Sequence, residues 1–494
     1  MLRRNRLFVT VLVVAALLRV LTWFGYRSAV FFPDSFAYLK TALRPAPDMV
    51  RPDGYAFLLL LLRPLQSFAA VTAVQHLMGL GIGVMIYALL RRRFRLPAWG
   101  ATLAAVPVLF DAYQIQLEHL VLSDAMFAFL LMAAVTVALW RPEPTMGMAL
   151  AAGGLIGGAA LTRTVGLPLL VVLVVYLIVR KVGWRRIGAA VVACVLPMTI
   201  YMTWFATWHG SFAMTGGTGV FLYSRVMAFA DCSKMNVPDE ELMLCTSEDP
   251  DDRPVSHFYI WGRGTPLHRL PGSQFTDDKN RLAQSFSKRA IMAQPLDYLK
   301  VAGYDIYRVF KWNRTVFPDV KTYGYYEFEP DVEPLPDWST GLGITAADDA
   351  YRYEDGRATP RVVEPFAGWV RAYQDHVYLR GTMLGVIMLA AFAGLFARWR
   401  RFGGQAMLPL GMACALLVIP AATAQFDYRY VLPAVPLICV AAALGVGRDP
   451  VRRLFTRGRA GRAETAESVA APKASVPPAA GPAESPESSA SLSR

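Results

Sequence analysis

Residues 187–208 read IGAAVVACVLPMTIYMTWFATW, a run of 22 residues without a charged side chain. Because a helix needs about 20 apolar residues to cross a bilayer, this run predicts a membrane span. Similar runs recur along the chain, which has 494 residues, is 55% hydrophobic and only 18% charged, and has a mean hydropathy of +0.35. This composition excludes an ordinary soluble enzyme and predicts a polytopic membrane protein.

Ten apolar runs predict ten transmembrane helices. The predicted spans are residues 7–26, 71–90, 97–112, 122–140, 146–162, 165–180, 187–208, 377–397, 405–424 and 431–447. A further apolar run at 53–69 is interrupted by Arg63 and Pro64, which indicates a helix lying on the outer membrane surface. We therefore expect an all-α membrane protein with about ten transmembrane helices.

The distribution of charge orients these spans. Residues 209–376 hold 18 Lys and Arg against 24 Asp and Glu, whereas the rest of the chain holds 32 basic and 13 acidic residues. Because cytoplasmic loops collect Lys and Arg, both termini are predicted to lie inside and residues 209–376 outside. The net charge of +13 therefore reflects membrane topology and does not indicate a nucleic-acid partner.

The sequence divides into four regions. Residues 1–208 are predicted to form an N-terminal membrane domain that carries the candidate outer loops, and residues 209–376 one extracytoplasmic soluble segment. Residues 377–447 supply the last transmembrane helices. Residues 448–494 are rich in Ala, Pro, Ser and Glu, a composition typical of a disordered cytoplasmic tail.

Two of the five cysteines, Cys232 and Cys245, lie in the predicted outer segment. They are 13 positions apart in an acidic stretch that would gain stability from loop closure. Since outer compartments are oxidising, we expect a disulfide between them, with free thiols as the alternative.

An aspartate follows the predicted exit of the first span, in the sequence Phe31-Phe32-Pro33-Asp34. A carboxylate between apolar residues at a membrane boundary is a group whose pKa and reactivity can be tuned. If the segment is helical, Tyr38 shares a face with Asp34. The alternative role for Asp34 is that of a helix cap.

Three arginines lie in predicted outer loops, where the positive-inside trend leads us to expect few. Arg51 begins the turn Arg-Pro-Asp-Gly-Tyr, Arg163 lies between the fifth and sixth spans, and Arg429 precedes the last span. A guanidinium at such a place is suited to bidentate binding of a lipid phosphate. The alternatives are an interface anchor for Arg51 and pairing with Asp427 for Arg429.

Acidic groups also lie near the start of the fourth span. Asp124 opens this span and Glu118 precedes it, so that either can supply a second carboxylate; helix capping is the alternative for Asp124. The six histidines, His119 among them, are scattered without a zinc-site spacing. We predict no metal site, and no nucleotide-binding, zinc-protease or C-x-x-C motif occurs.

These motifs form an ordered set that resembles the GT-C glycosyltransferases, most of all the bacterial branch with protein O-mannosyltransferases and aminoarabinose or arabinosyl transferases. The motifs are Asp34 with Tyr38, Arg51-Pro-x-Gly-Tyr55, Asp124, Leu161-Thr-Arg-x-Val-Gly166 and Arg429-Tyr-x-Leu-Pro-x-x-Pro436. In the turn after Arg51, the chain has Asp53 and Ala56 where relatives commonly have prolines, and Asp124 stands where many have glutamate.

The resemblance implies transfer of a sugar from a polyprenyl-phosphate carrier to an acceptor on the outer face of the plasma membrane. Asp34 matches the family's catalytic aspartate, and Asp124 is the second catalytic candidate. The candidate substrate-binding residues are Tyr38, Arg51, Glu118, Arg163 and Arg429. The implied partners are the carrier and membrane lipids, together with an acceptor glycan, lipid or protein. No cofactor is implied, and a divalent metal is left open.

Two other kinds of function are compatible with polar groups among membrane spans. A flippase or transporter for lipid-linked sugars would place such groups near the bilayer midplane. A non-catalytic relative would bind the lipid-linked sugar without transferring it. The predicted position of the polar groups at one membrane face favours a surface enzyme.

The predicted topology can be tested by cysteine labelling. A cysteine introduced near Asp337 should react with a membrane-impermeant thiol reagent in intact cells, because the segment that contains it is predicted to lie outside. Labelling that occurs only after the membrane has been permeabilised would contradict the topology and the enzyme assignment together.

Overall fold

The computed structural model describes residues 5–331, 333–356, 358–398, 400 and 404–446. The predicted tail at 448–494 lies outside the described residues. The first half of the chain consists of helices α1 (Arg6–Gly25), α2 (Pro33–Leu43), α3 (Gly54–Leu62), α4 (Phe68–Ala88), α5 (Ala98–Phe110), α6 (Ala112–His119), α7 (Asp124–Leu139), α8 (Met146–Thr162), α9 (Leu167–Val179) and α10 (Trp184–His209).

Shorter helices dominate the predicted outer segment, and three longer ones follow it. These are α11 (Thr218–Val226), α12 (Phe258–Trp261), α13 (Pro266–Arg269), α14 (Asp277–Ala293), α15 (Pro295–Val309), α16 (Val320–Gly324), α17 (Ala346–Glu354), α18 (Phe366–His376), α19 (Gly381–Phe396), α20 (Met407–Thr423) and α21 (Val435–Val446). Two antiparallel pairs of short strands complete the described fold: β1 (Tyr26–Arg27) with β4 (Arg361–Val362), and β2 (Ser339–Gly341) with β3 (Ile344–Thr345).

The structure confirms a mostly helical chain with helices that can cross a membrane, but it does not confirm ten spans. Every predicted span falls on a helix. Within the described ranges, five helices are long and apolar enough to cross, or six if the bent pair α18–α19 is one span. The five are Arg6–Gly25, Phe68–Arg93, Trp184–His209, Gly404–Thr423 and Tyr428–Val446.

A polar cap explains why the apolar helix α5 is shorter than the predicted span. The third predicted span, 97–112, ends at Phe110 because Asp111 begins α6, where its carboxylate accepts hydrogen bonds from the backbone N–H groups of Tyr113 and Gln114. The same carboxylate accepts a bond of 3.0 Å from the backbone N–H of Leu379. Hydropathy averages over a window and does not detect such an end.

Small residues let α8 and α10 approach closely. A Cβ atom on Gly153 would lie 2.0 Å from the carbonyl oxygen of Ala190, and one on Gly157 would lie 2.8 Å from that of Cys194. The G-x-x-x-G spacing in α8 therefore serves helix packing, as is usual in membrane proteins.

A buried ionic cluster joins α1, α4 and α6. The guanidinium of Arg19 donates to both carboxylate oxygens of Glu118, at 2.7 and 3.0 Å, and His76 Nδ1 lies 3.1 Å from Glu118 Oε2. A Cβ on Gly79 would overlap Glu118 Oε1, so the absence of a side chain there makes room for the carboxylate. The cluster links α1, α4 and α6 inside the fold.

The predicted outer segment has two parts that pack in different ways. Helices α11 to α14 enclose a core of their own around Tyr223 and Phe286, beside the disulfide that joins Cys232 and Cys245. Helix α17 instead packs on α2, where Arg44 makes a bidentate ion pair with the buried Asp349 at 2.6 and 2.8 Å. The second part therefore holds the helix that begins with Pro33 and Asp34.

Candidate active site

A cavity of about 1060 Å³ lies where the membrane helices meet the segment at 209–376. Its walls come from the start of α2, the turn before α3, the end of α8, the turn before α21 and loops of the segment. The charged or aromatic lining residues used below are Phe32, Asp34, Asp48, Arg51, Arg163, Tyr325, Trp338, Asp427 and Arg429. A volume of this size suits a small-molecule substrate.

Local folding at the start of α2 directs Asp34 into this cavity. Pro33 is the first residue of the helix, and Ser35 Oγ accepts a bond from the Phe32 backbone N–H and donates to the Val121 carbonyl oxygen, at 2.9 and 2.7 Å. Ser35 therefore performs the capping that sequence reasoning offered as the alternative role for Asp34. The Asp34 carboxylate is left for other partners.

Those partners are two arginines. Asp34 Oδ1 accepts from Arg51 Nη2 at 2.5 Å, and Asp34 Oδ2 accepts from Arg429 Nη1 at 3.0 Å. Burial alone would raise the pKa of Asp34, but the two guanidinium groups outweigh burial and hold the pKa well below its usual range. The carboxylate is therefore ionised and strongly bound in this structure.

Arg51 and Arg429 each have a second acidic neighbour. Asp48 Oδ1 accepts from the Arg51 backbone N–H at 2.9 Å and lies 3.9 Å from its guanidinium. Asp427 Oδ2 lies 3.2 Å from Arg429 Nε and accepts a bond from the Tyr326 hydroxyl at 2.7 Å. Each arginine can thus stay paired if Asp34 is withdrawn.

The third arginine, Arg163, is paired with a buried carboxylate. Asp124, the first residue of α7, is fully buried and forms an ion pair with Arg163, whose guanidinium lies 4.7 Å from the ring centre of Tyr430. Arg163 lines the cavity, whereas Asp124 does not. Asp124 Oδ2 has no hydrogen-bond partner in the part of the chain that the structure describes. Its position suits orientation of Arg163.

The other predicted site residues divide between the cavity and the interior. Tyr38 lines the cavity one turn after Asp34, and its hydroxyl donates to Ser123 Oγ at 3.1 Å. Glu118, predicted to bind substrate, does not line the cavity. Every residue of α6 is buried, and the carboxylate of Glu118 is buried with them. This carboxylate is paired with Arg19.

The histidine considered in the sequence, His119, lies inside the fold, whereas His257 lines the cavity. His119 Nδ1 lies 3.1 Å from His76 Nε2, and His119 Nε2 lies 2.6 Å from the carbonyl oxygen of Tyr26, so that its ring is used inside the fold. Within the described ranges, no group of three or more His, Cys, Asp or Glu side chains is arranged to hold a metal ion.

Sequence reasoning missed Asp48. It considered Tyr325 and Trp338 as side chains for stacking on a sugar but favoured a place in a small core, whereas both line the cavity. Tyr325 packs against Phe32 at a ring distance of 5.2 Å, and Trp338 packs edge-on against Phe36 at 5.6 Å. The available signal for Asp48 was its place three positions before Arg51, with which it forms an ion pair. The aromatic side chains come from the outer segment, and no spacing in the sequence relates them to α2.

Solved structures similar to this chain include three of low sequence identity. ArnT from Cupriavidus metallidurans bound to undecaprenyl phosphate is 15% identical with a TM-score of 0.36, and the match covers 89% of this chain and 77% of ArnT. The Archaeoglobus fulgidus oligosaccharyltransferase in the apo form is 13% identical with a TM-score of 0.39, and the match covers 95% of this chain and 53% of that protein.

The archaeal oligosaccharyltransferase AglB from Archaeoglobus fulgidus, in complex with an inhibitory peptide and a dolichol-phosphate, is 15% identical with a TM-score of 0.37. That match covers 95% of this chain and 52% of AglB, so the chain spans about half the length of these oligosaccharyltransferases. No protein-family model matches the sequence, and no curated protein matches it.

The arginines can be tested as an anion site with a polyprenyl phosphate in detergent micelles. Arg429→Gln should weaken its binding by about ten- to a hundredfold, because hydrogen bonds to charged groups contribute about 1.5–3 kcal/mol. Arg281→Gln, which removes an exposed arginine of α14, is the matched control and should bind like the parent. Equal affinity of the Arg429 variant and the parent would exclude this role.

Proposed function

We propose that this chain is a GT-C glycosyltransferase of the plasma membrane, which transfers a sugar from a polyprenyl-phosphate carrier to an acceptor on the outer face. The observation that carries the proposal is one carboxylate, Asp34, bonded to two arginines in a cavity of about 1060 Å³ beside a third arginine. These are the groups that such a transfer needs: a base for the acceptor and fixed cations for a phosphate leaving group.

The arginines would hold the carrier phosphate. A phosphate that enters the cavity competes with Asp34 for the guanidinium groups of Arg51 and Arg429, while Asp48 and Asp427 continue to orient them. Arg163, held by Asp124, adds a third cation. Once the phosphate is bound these positive groups are in place, so the charge that develops on it in the chemical step is stabilised without further reorganisation.

Asp34 would act as the general base. As the acceptor oxygen bonds to the anomeric carbon, the bond from that carbon to the phosphate oxygen breaks, and the acceptor's proton moves to Asp34. The free protein holds the pKa of Asp34 too low for an effective base. When the carrier phosphate draws Arg51 and Arg429 away, this pKa rises, so that the base becomes effective only after the donor is bound.

A single displacement with inversion at the anomeric carbon is the reaction that this geometry supports best. A double displacement would need a second carboxylate that faces the sugar as a nucleophile. Asp124 is fully buried and does not line the cavity. The two further carboxylates that do line it among the described residues, Asp48 and Asp427, are paired with Arg51 and Arg429. We therefore assign Asp124 to the orientation of Arg163.

Transport of the lipid-linked sugar is the competing function. A transporter binds its cargo between helices near the bilayer midplane. Here the ionised side chains lie where the membrane helices meet the segment at 209–376, and residues of that segment line the same cavity. This position suits a reaction at the membrane surface.

Asp34→Asn tests the proposed function. It keeps the size of the side chain and removes its basicity, so transfer should fall by roughly 10²–10⁴. The measurement is the release of free polyprenyl phosphate in membranes that contain the variant and receive a panel of polyprenyl-phosphate sugars. Asp337→Asn, which removes an exposed acid, is the control and should behave like the parent. Parental rates in the Asp34 variant would refute the assignment of the base.

A further inference from the structure

The turn that carries Arg51 is fixed by a buried acid that the proposed reaction does not use. Asp53 is fully buried at the start of α3. Its Oδ2 atom accepts bonds of 3.0 Å from the Asp48 backbone N–H and from the Tyr201 hydroxyl. Its Oδ1 atom has no hydrogen-bond partner among the described residues.

This carboxylate has no cation to compensate it. Four elements face Asp53: its own loop contributes Asp48, α2 contributes Thr41, α10 contributes Tyr201, and the end of α8 contributes backbone against Gly54. No lysine, arginine or histidine in the described ranges forms an ion pair with it. Burial, and then the like charge of Asp48, raise the pKa of Asp53 to about 7, against the bonds from Asp48 and Tyr201 that lower it.

The bonds of this turn lead from Asp53 to the catalytic candidate. Asp48 is bonded through its backbone to Asp53, and its Oδ1 atom accepts from the backbone N–H groups of Val50 and Arg51, at 3.0 and 2.9 Å. Arg51 in turn donates to Asp34. A change at Asp53 therefore reaches the phosphate site through one short loop.

We propose that Asp53 is a positioning residue whose protonation holds the turn of Arg51 in the geometry that binds the carrier phosphate. The inference rests on the proposed function. When Asp53 is neutral, the turn buries no net charge at this point. When Asp53 ionises, its carboxylate carries a buried charge without a cation beside Asp48, so it must draw in water or move. The turn then no longer holds Arg51 in the same geometry.

The sign of the pH effect follows from the direction of the shift. The folded pKa is raised above the unfolded value, so the stabilisation of the turn is complete below the unfolded pKa and is lost as pH rises through about 7. Affinity for a phosphate ligand should therefore fall across neutral pH. The ligand's own titration is common to every variant and cancels in a ratio of affinities.

The test is the dissociation constant of a polyprenyl phosphate for the full-length parent and for Asp53→Asn between pH 5.5 and 8.5. Asparagine can accept the bonds from Asp48 and Tyr201 and cannot ionise. The ratio of the parent's dissociation constant to the variant's should not change with pH at low pH. It should then rise, with a midpoint near pH 7. The rise should be roughly tenfold for each unit by which the pKa of Asp53 differs between the two geometries of the turn.

A purely structural Asp53 would give a ratio that does not change with pH, and that result would overturn the inference. Tyr201→Phe provides a second variant, because loss of its hydroxyl removes a donor that favours the ionised form. Its affinity should fall at a higher pH than the parent's; an unchanged midpoint would also count against the inference.

Failure of the proposed function would look different. In that case the parent would not bind a polyprenyl phosphate at any pH, and the inference about Asp53 would fall with it. Binding by the parent with a constant ratio would remove only the role of Asp53.

Discussion

The arrangement at the cavity depends on the carboxylate of Asp34, which lies between the guanidinium groups of Arg51 and Arg429. These residues come from three distant parts of the chain, and their opposite charges allow all three to be held without a bound ligand. Without Asp34, positive groups would face one another, since Arg429 and Arg163 are near enough for each to disfavour the other's charge. In the proposed function, the same balance favours an anion, because an entering phosphate would replace the carboxylate.

Two further ion pairs hold the elements around this arrangement together. The buried pair of Arg19 and Glu118 links α1 to α6, and the pair of Arg44 and Asp349 attaches α17 to the helix of Asp34. Breaking a buried ion pair leaves an uncompensated charge, which costs several kcal/mol. Such pairs need not increase stability when intact, but they specify how the helices and the outer segment meet.

The sequence was informative where a residue departed from a local expectation. Hydropathy located every apolar helix, and arginines that contradicted the positive-inside trend proved to line one cavity. The burial of Glu118 could not be foreseen, because its partner, Arg19, lies 99 positions away and only the fold brings them together. The end of the third span was also misplaced, because the cap Asp111 ends a helix inside an apolar window. Asp53 could not be interpreted before its burial was known.

The central claim is that Asp34 and the carrier phosphate share the same two guanidinium groups. The most direct measurement is the equilibrium affinity of a polyprenyl phosphate for the parent and for Asp34→Asn at one pH and ionic strength. Removal of the competing negative charge should make the variant bind the phosphate more tightly than the parent. Weaker binding by the variant would mean that loss of the contribution of Asp34 to holding the arginines outweighs loss of its competition with the phosphate, and would contradict the account.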